Sequence, residues 1–171
     1  MKKDPVTLQR ILMMHPSLVA ETSDLYEEIC NALTGKAMCR FAHTLRTYKE
    51  QDVLYAGGRT LPGAKVTNAK GGQSNHNFGL AFDIVLVKDS DGNGTFDKAN
   101  WETNVDFDGD GVADWMEVVE IAKRYGWIWG GDWKFIDKPH FEKTFGNSVV
   151  TLAQRVAEGK VVKPGTTYPI L

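Results

Sequence analysis

Apolar positions along the chain follow two different periods. Leu18, Thr22, Leu25, Ile29 and Leu33 recur at 4-3-4-4 spacing, which draws one stripe down a helix opened by Pro16-Ser17 and closed by Gly35. Leu8, Ile11 and Leu12 predict a shorter amphipathic helix before it. Residues 37–44 are mostly apolar and predict a strand, and residues 48–56 a helix stopped by Gly57-Gly58. In residues 80–87, Leu80, Phe82, Ile84 and Leu86 face one way and Ala81, Asp83, Val85 and Val87 the other. Two apolar faces predict a central strand covered on both sides. Helices at 115–125 and 149–158, each closed by a glycine (Gly126, Gly159), a short strand at 139–143 and an extended tail complete the pattern.

Two stretches have no period. Residues 59–73, with Gly58, Gly63, Gly71 and Gly72 in or beside them, read as a long loop, and loops of that length in compact domains are commonly functional. Residues 88–112 read as a polar, acidic insertion. With no repeat or linker, the 171 residues predict one domain over 1–171. Composition, 42% hydrophobic and 25% charged, excludes a disordered chain. Twenty Lys+Arg against 22 Asp+Glu lack the basic footprint of a nucleic-acid binder. No run approaches the ~18 apolar residues of a membrane span. Gln9, Arg10 and His15 break up the only stretch that could follow Lys2-Lys3 as a secretory signal, so synthesis in the cytoplasm without one is expected. Cys30 and Cys39 are too few for a disulfide framework and read as free buried thiols.

Asp83 carries the most chemical information. A bare carboxylate inside a buried strand costs several kcal/mol unless a cation or strong hydrogen bonds meet it. His76 lies seven residues earlier in Ser74-Asn75-His76-Asn77-Phe78-Gly79, and a second histidine, His140, sits in Asp137-Lys138-Pro139-His140-Phe141-Glu142. Two imidazoles and one carboxylate suit an open zinc site, with the fourth position left to water. By spacing alone, two scattered histidines and an aspartate fit a structural role as well, and such a donor set does not separate zinc from other divalent ions.

The surroundings change that weighting. Ser-x-His-x-x-Gly-x-Ala-x-Asp, Ser74 to Asp83, resembles the zinc motif of the D-alanyl-D-alanine carboxypeptidase/L-alanyl-D-glutamate peptidase family. The resemblance runs upstream through Leu45-Arg46-Thr47-Tyr48-Lys49-Glu50-Gln51 and downstream to Asp137–Glu142, covering roughly residues 8–146. It implies that His76, Asp83 and His140 bind Zn²⁺. It also implies that Asp137 is the general base, which deprotonates the attacking water and passes the proton to the leaving amine. Arg46 matches an arginine facing the substrate carbonyl, where it would steady an oxyanion; a structural salt bridge is the alternative. Ser74 is expected to hydrogen-bond within the site, in a substrate-binding role, and Glu142 either orients a ligand or faces solvent. His15 and His43 fall outside the motif. Trp127, Trp129 and Trp133 read as core and cleft wall, with a carbohydrate platform as the alternative.

The insertion carries a second signal. Asp106, Asp108, Asp110, Val112, Asp114 and Glu117 stand at positions 1, 3, 5, 7, 9 and 12 of a calcium-loop template, with Gly111 at position 6. Asp89, Asp91, Asn93, Thr95 and Asp97 begin the same template, but Asn100 replaces its bidentate acid. Two Asx-rich turns are the alternative.

The expectation is therefore an α+β domain, a small antiparallel sheet with flanking helices around a zinc cleft, with a calcium-loop-like insertion at 88–117. The resemblance implies a zinc-dependent peptidase acting on peptidoglycan stem peptides; a monomer with no nucleic-acid partner and no membrane insertion is expected beside it. The Asp-x-Pro-His ending resembles the L-alanyl-D-glutamate endopeptidase branch, in the manner of a phage endolysin that reaches the wall after membrane permeabilisation. A D-Ala-D-Ala carboxypeptidase or dipeptidase, and a non-catalytic calcium-binding wall module, are the rivals.

Overall fold

The computed structural model describes residues 3–171 apart from Gly35. Its helices are Pro5–Ile11 (α1), Val19–Ala32 (α2), Tyr48–Ala56 (α3), Asp114–Arg124 (α4) and Val149–Ala157 (α5). Its strands are Ala37–His43 (β1), Ala81–Lys88 (β2), Lys98–Asn100 (β3), Ile128–Trp129 (β4) and His140–Glu142 (β5). All strand pairings are antiparallel, in the order β1-β2-β5-β4, with β3 also on β2. This is the α+β class expected from the sequence.

β2 is the centre of the sheet. β1 lies along one edge, while β5 and β3 share the other, β5 beside Ala81–Asp83 and β3 beside Leu86–Lys88. Both faces of β2 are covered, as its pattern predicts. Phe82, Ile84 and Leu86 join Ile11, Leu25, Ile29, Trp115 and Val118 in the main core. Phe82 stacks between Phe41 and Phe141, with ring centroids 4.3 and 5.1 Å apart, and this aromatic column fixes β1, β2 and β5 together. On the opposite face Val85 and Val87 pack with Met38, Ala42 and Phe96 in a smaller cluster. Asp83 belongs to this second face, so the carboxylate avoids the helix-covered core.

Local chemistry sets the helix ends. Asp4 caps α1 ahead of Pro5, and Thr47 and Glu50 form a reciprocal capping box on α3, which ends at Gly57. The Leu18-to-Leu33 stripe is buried throughout. α2 nevertheless starts at Val19, because the Leu18 N–H is taken by the His15 carbonyl in a preceding turn. Its predicted stop, Gly35, lies outside the described residues. The short first helix turns a different face inward: Thr7 and Ile11 are buried while Leu8 and Leu12 are exposed. The Thr7 hydroxyl accepts from the Phe41 N–H and so pins that face to β1. β3 was not legible in the insertion, because its three residues are mostly exposed and carry no alternation. Cys30 and Cys39 are buried and unpaired. No helix among the described residues is long and apolar enough to cross a membrane.

Candidate metal centre

Three short pieces of backbone bring the predicted ligands together. Ser74 caps a single 3₁₀ turn, Asn75–Phe78, by accepting from the His76 N–H, and this turn carries His76. Gly79 closes it with φ 68°, and a Cβ there would come within 2.5 Å of the His15 nitrogen, so the sharp entry into β2 requires glycine. β2 then presents Asp83, and the β2–β5 register sets His140 directly opposite.

The donor atoms converge. His76 Nε2 stands 3.1 Å from Asp83 Oδ1 and 3.2 Å from His140 Nδ1, and His140 Nδ1 stands 3.1 Å from Asp83 Oδ1. The far side of each ring has its own partner. His76 Nδ1 meets the Thr44 carbonyl at 2.7 Å, and His140 Nε2 meets Glu142 Oε2 at 3.0 Å. Asn75 Nδ2 donates to the same Glu142 oxygen at 2.8 Å. A carbonyl and a carboxylate are acceptors, so they assign the ring protons to the outer nitrogens and leave two lone pairs aimed at Asp83.

Three electron-rich atoms this close repel each other unless a proton or a cation lies among them. Zinc fits: nitrogen and oxygen ligands about 2.0–2.1 Å from the ion, tetrahedrally arranged, stand about 3.3 Å apart, close to the spacing seen here. The same crowding governs protonation. Burial opposes charge on His140, but Asp83 and Glu142 outweigh it and raise the imidazole to about 9. Burial would raise Asp83, but the His140 and His76 imidazoles beside it hold it well below the usual carboxylate range.

Around the triad is a cleft of about 570 Å³ that includes His43, Arg46, Ser74, Asp137 and Trp101 in its lining. Asp137 is held by its backbone, whose N–H donates to the Gly130 carbonyl at 2.9 Å. Partial desolvation pushes its carboxyl up; His140 opposes this and Asp83 adds to it. The Arg46 guanidinium is fixed by Gln51 at 3.0 Å and lies 3.9 Å from Asp83 Oδ2, so its structural ion pair and its position in the cleft coexist. Burial, then Arg46, lowers His43 below the ordinary imidazole value, which keeps this cleft residue neutral. Trp127 and Trp129 are buried, and Trp133 lies beside His140 with ring centroids 5.2 Å apart. His15, between Ser17 and the Pro169 carbonyl, lies outside this cleft lining. Sequence reasoning left three contributors without a role: the Thr44 carbonyl, which as backbone leaves no residue signal; Gln51, buried inside a helix of weak pattern; and Trp101, lost in a polar insertion.

Residues 67–143 match the model of a family described as D-alanyl-D-alanine carboxypeptidase. Over 98 residues the chain is 52% identical to the peptidoglycan L-alanyl-D-glutamate endopeptidase CwlK of Bacillus subtilis (strain 168), a stretch covering 57% of this chain and 55% of that protein. Over these stretches the chain is similar to D-alanyl-D-alanine carboxypeptidases and to an L-alanyl-D-glutamate endopeptidase. Peptidases of the matched family generally depend on zinc, and the donor set described above is one that could hold such an ion. The chain spans about half the length of the relative it matches. All three triad residues and Asp137 fall within the family match, whereas Arg46 lies upstream of it.

The acidic insertion forms a second cluster. Asp106, Asp108 and Asp114 bring carboxylate oxygens within 4.8 Å of one another, and so do Asp108, Asp110 and Glu117. Asp106 accepts from the Gly109 and Gly111 N–H groups, and Asp108 from the Thr34 N–H and hydroxyl. Asp114 is fully buried and its Oδ1 accepts from the Phe107 N–H; its Oδ2 and the Glu117 Oε2 are buried with no partner among the described residues. Burial and then Asp110, Asp108, Asp114 and Asp106 push Glu117 up to about 7. In the 89–97 loop, Asp89 instead accepts from the Gly92, Asn93 and Gly94 N–H groups, and among the described residues its acids form no such group of three.

Proposed function

We propose that the chain is a zinc-dependent peptidase that cleaves the L-Ala–D-Glu amide bond of peptidoglycan stem peptides. The observation that carries the proposal is the convergence of His76, Asp83 and His140 at 3.1–3.2 Å in a cleft that also holds Asp137. The 52% identity to an L-alanyl-D-glutamate endopeptidase supports the choice of bond.

His76, Asp83 and His140 would hold the ion. Zinc, when bound, supplies Lewis-acid polarisation of the amide carbonyl and makes a water easier to deprotonate. Asp137 takes the proton of the attacking water on its carboxylate and delivers it to the leaving amine nitrogen; its raised pKa suits both halves of that task. Arg46, already immobilised by Gln51, offers its guanidinium to the developing oxyanion. Ser74 positions His76 through the turn it caps and borders the substrate from the cleft wall. Glu142 and the Thr44 carbonyl keep the two imidazoles in the tautomers that face the ion.

The proposal extends to calcium, held by Asp106, Asp108, Asp110, the Val112 carbonyl, Asp114 and Glu117. The fully buried Asp114, with one oxygen lacking a protein partner, is the feature that supports it beyond a mere accumulation of acids. For Asp89, Asp91, Asn93, Thr95 and Asp97, calcium rests on the sequence template alone. A monomer that acts as an endolysin, reaching the wall once the membrane is permeabilised, completes the reading.

The test is digestion of purified peptidoglycan by the zinc-loaded protein, with the new termini identified by mass spectrometry. New L-Ala carboxyl and D-Glu amino termini are expected. Release of D-Ala would make it a carboxypeptidase, and no turnover with zinc present would make it a binding module.

A further inference from the structure

The acidic insertion reaches the cleft through one side chain. β3 runs antiparallel to the end of β2, with Asn100 opposite Leu86, so the chain leaving β3 heads back along β2 towards Asp83. The next residue is Trp101. It lines the same cleft as His43, Arg46, Asp83, Asp137 and His140, although it lies far from them in the fold's order of elements. β5 occupies the same edge of β2 further along, with His140 opposite Asp83. Trp101 and Pro139 therefore flank the junction between the two short strands, and both line the cleft.

Nothing in the core accounts for Trp101. It belongs to neither apolar cluster and remains 53% exposed. Its half-exposed indole therefore offers apolar surface to whatever occupies the cleft. The same lining includes apolar Leu54, Val66 and Val85 together with the ionic Arg46, Asp83 and Asp137. That combination suits a ligand with C–H-rich surface beside a polar, reacting amide.

We propose that Trp101 is a substrate-contact residue, whose indole packs on the C–H surface of the peptidoglycan stem peptide and holds it across the His76–Asp83–His140 triad. This rests on the substrate proposed above. The contact is made with bound substrate whether or not the amide is reacting, so it acts on affinity and KM and leaves kcat in place. Half of the side chain is already in water, so its removal leaves the fold and the zinc content intact.

The test separates binding from turnover. A soluble muropeptide is titrated calorimetrically into zinc-loaded Asp137→Ala protein, with and without Trp101→Ala. The added substitution is expected to weaken binding by about three- to tenfold, the weight of one aromatic contact, and Trp101→Phe to recover most of it. In the wild-type background Trp101→Ala should raise KM by the same factor. Equal affinities, no binding to either protein, or a fall in kcat with KM unchanged would overturn the proposal. Weakened binding in a protein whose wild type cleaves nothing would uphold the contact while the peptidase reading fails.

Discussion

The His76–Asp83–His140 triad and the acidic loop are both clusters of metal-type donors, but the protein treats them in opposite ways. In the triad one carboxylate faces two imidazoles, and every nitrogen and the key Asp83 oxygen has a partner. The groups sit on paired strands and a capped turn beneath which Phe41, Phe82 and Phe141 stack. In the loop five carboxylates crowd together with no cationic side chain among their hydrogen-bond partners in the described residues, and there Asp114 and Glu117 each keep a buried oxygen with no partner. The first site can neutralise itself by taking a proton, which is what the raised His140 expresses. The second has only its own acids to neutralise, which is what Glu117 at about 7 expresses. A preformed site of the first kind supports catalysis, because its geometry does not depend on the ion. One of the second kind couples ion binding to local order.

The largest effect expected from this contrast lies beside the triad. Asp137→Ala should lose about 10²–10⁴-fold in turnover, the usual weight of general acid–base catalysis, while zinc content stays unchanged. Loss of zinc in that variant would make Asp137 part of the metal site instead. Next comes Glu142→Ala, which strips His140 of its outer partner and should weaken zinc about 10–100-fold in a chelator competition. Glu142→Gln, which can still accept the His140 proton, should recover part of that. Unaltered affinity in the alanine variant would mean that the strand register alone orients the ring.

In the loop the sign reverses. Glu117→Gln should raise the melting temperature of metal-free protein, because it removes a charge repelled by Asp110, Asp108, Asp114 and Asp106, and it should abolish the gain from added calcium. A lower melting temperature without metal would mean the acids are not frustrated. The smallest effect concerns Asp4, a buried acid that the chain neutralises unaided. Burial opposes its ionisation, but Arg40 and Thr7 hold it below the ordinary value. Its stabilising contribution is thus present above the unfolded pKa of about 3.9 and lost as pH falls below it. Asp4→Asn should lower stability at neutral pH and flatten the acid loss, equally with and without chelator; a chelator-dependent change would break the contrast.

The sequence disclosed the triad because its residues are rigidly spaced around Gly79 and a strand that is apolar on both faces. A carboxylate in such a strand demands an explanation even before the fold is known. Helix α3 was legible to its last residue because Thr47, Glu50 and Gly57 mark both ends. What stayed hidden depends on pairing rather than on pattern. Nothing in Lys98–Asn100 announces a strand, and without β3 nothing brings Trp101 to the cleft. The inward face of α1 was misread for a related reason: it is selected by a hydroxyl bonded to the neighbouring strand, while the leucines at 8 and 12 stay outside. The orphan oxygens of Asp114 and Glu117 need three-dimensional burial to be seen at all.

Metal content tests the contrast most directly. Wild-type, His140→Ala and Glu117→Gln proteins, each shown by circular dichroism to be folded, would be loaded with zinc and calcium, dialysed and analysed for both elements. The account predicts that His140→Ala loses zinc and keeps calcium, whereas Glu117→Gln loses calcium and keeps zinc. Full zinc in His140→Ala would contradict it, as would either variant losing both metals together.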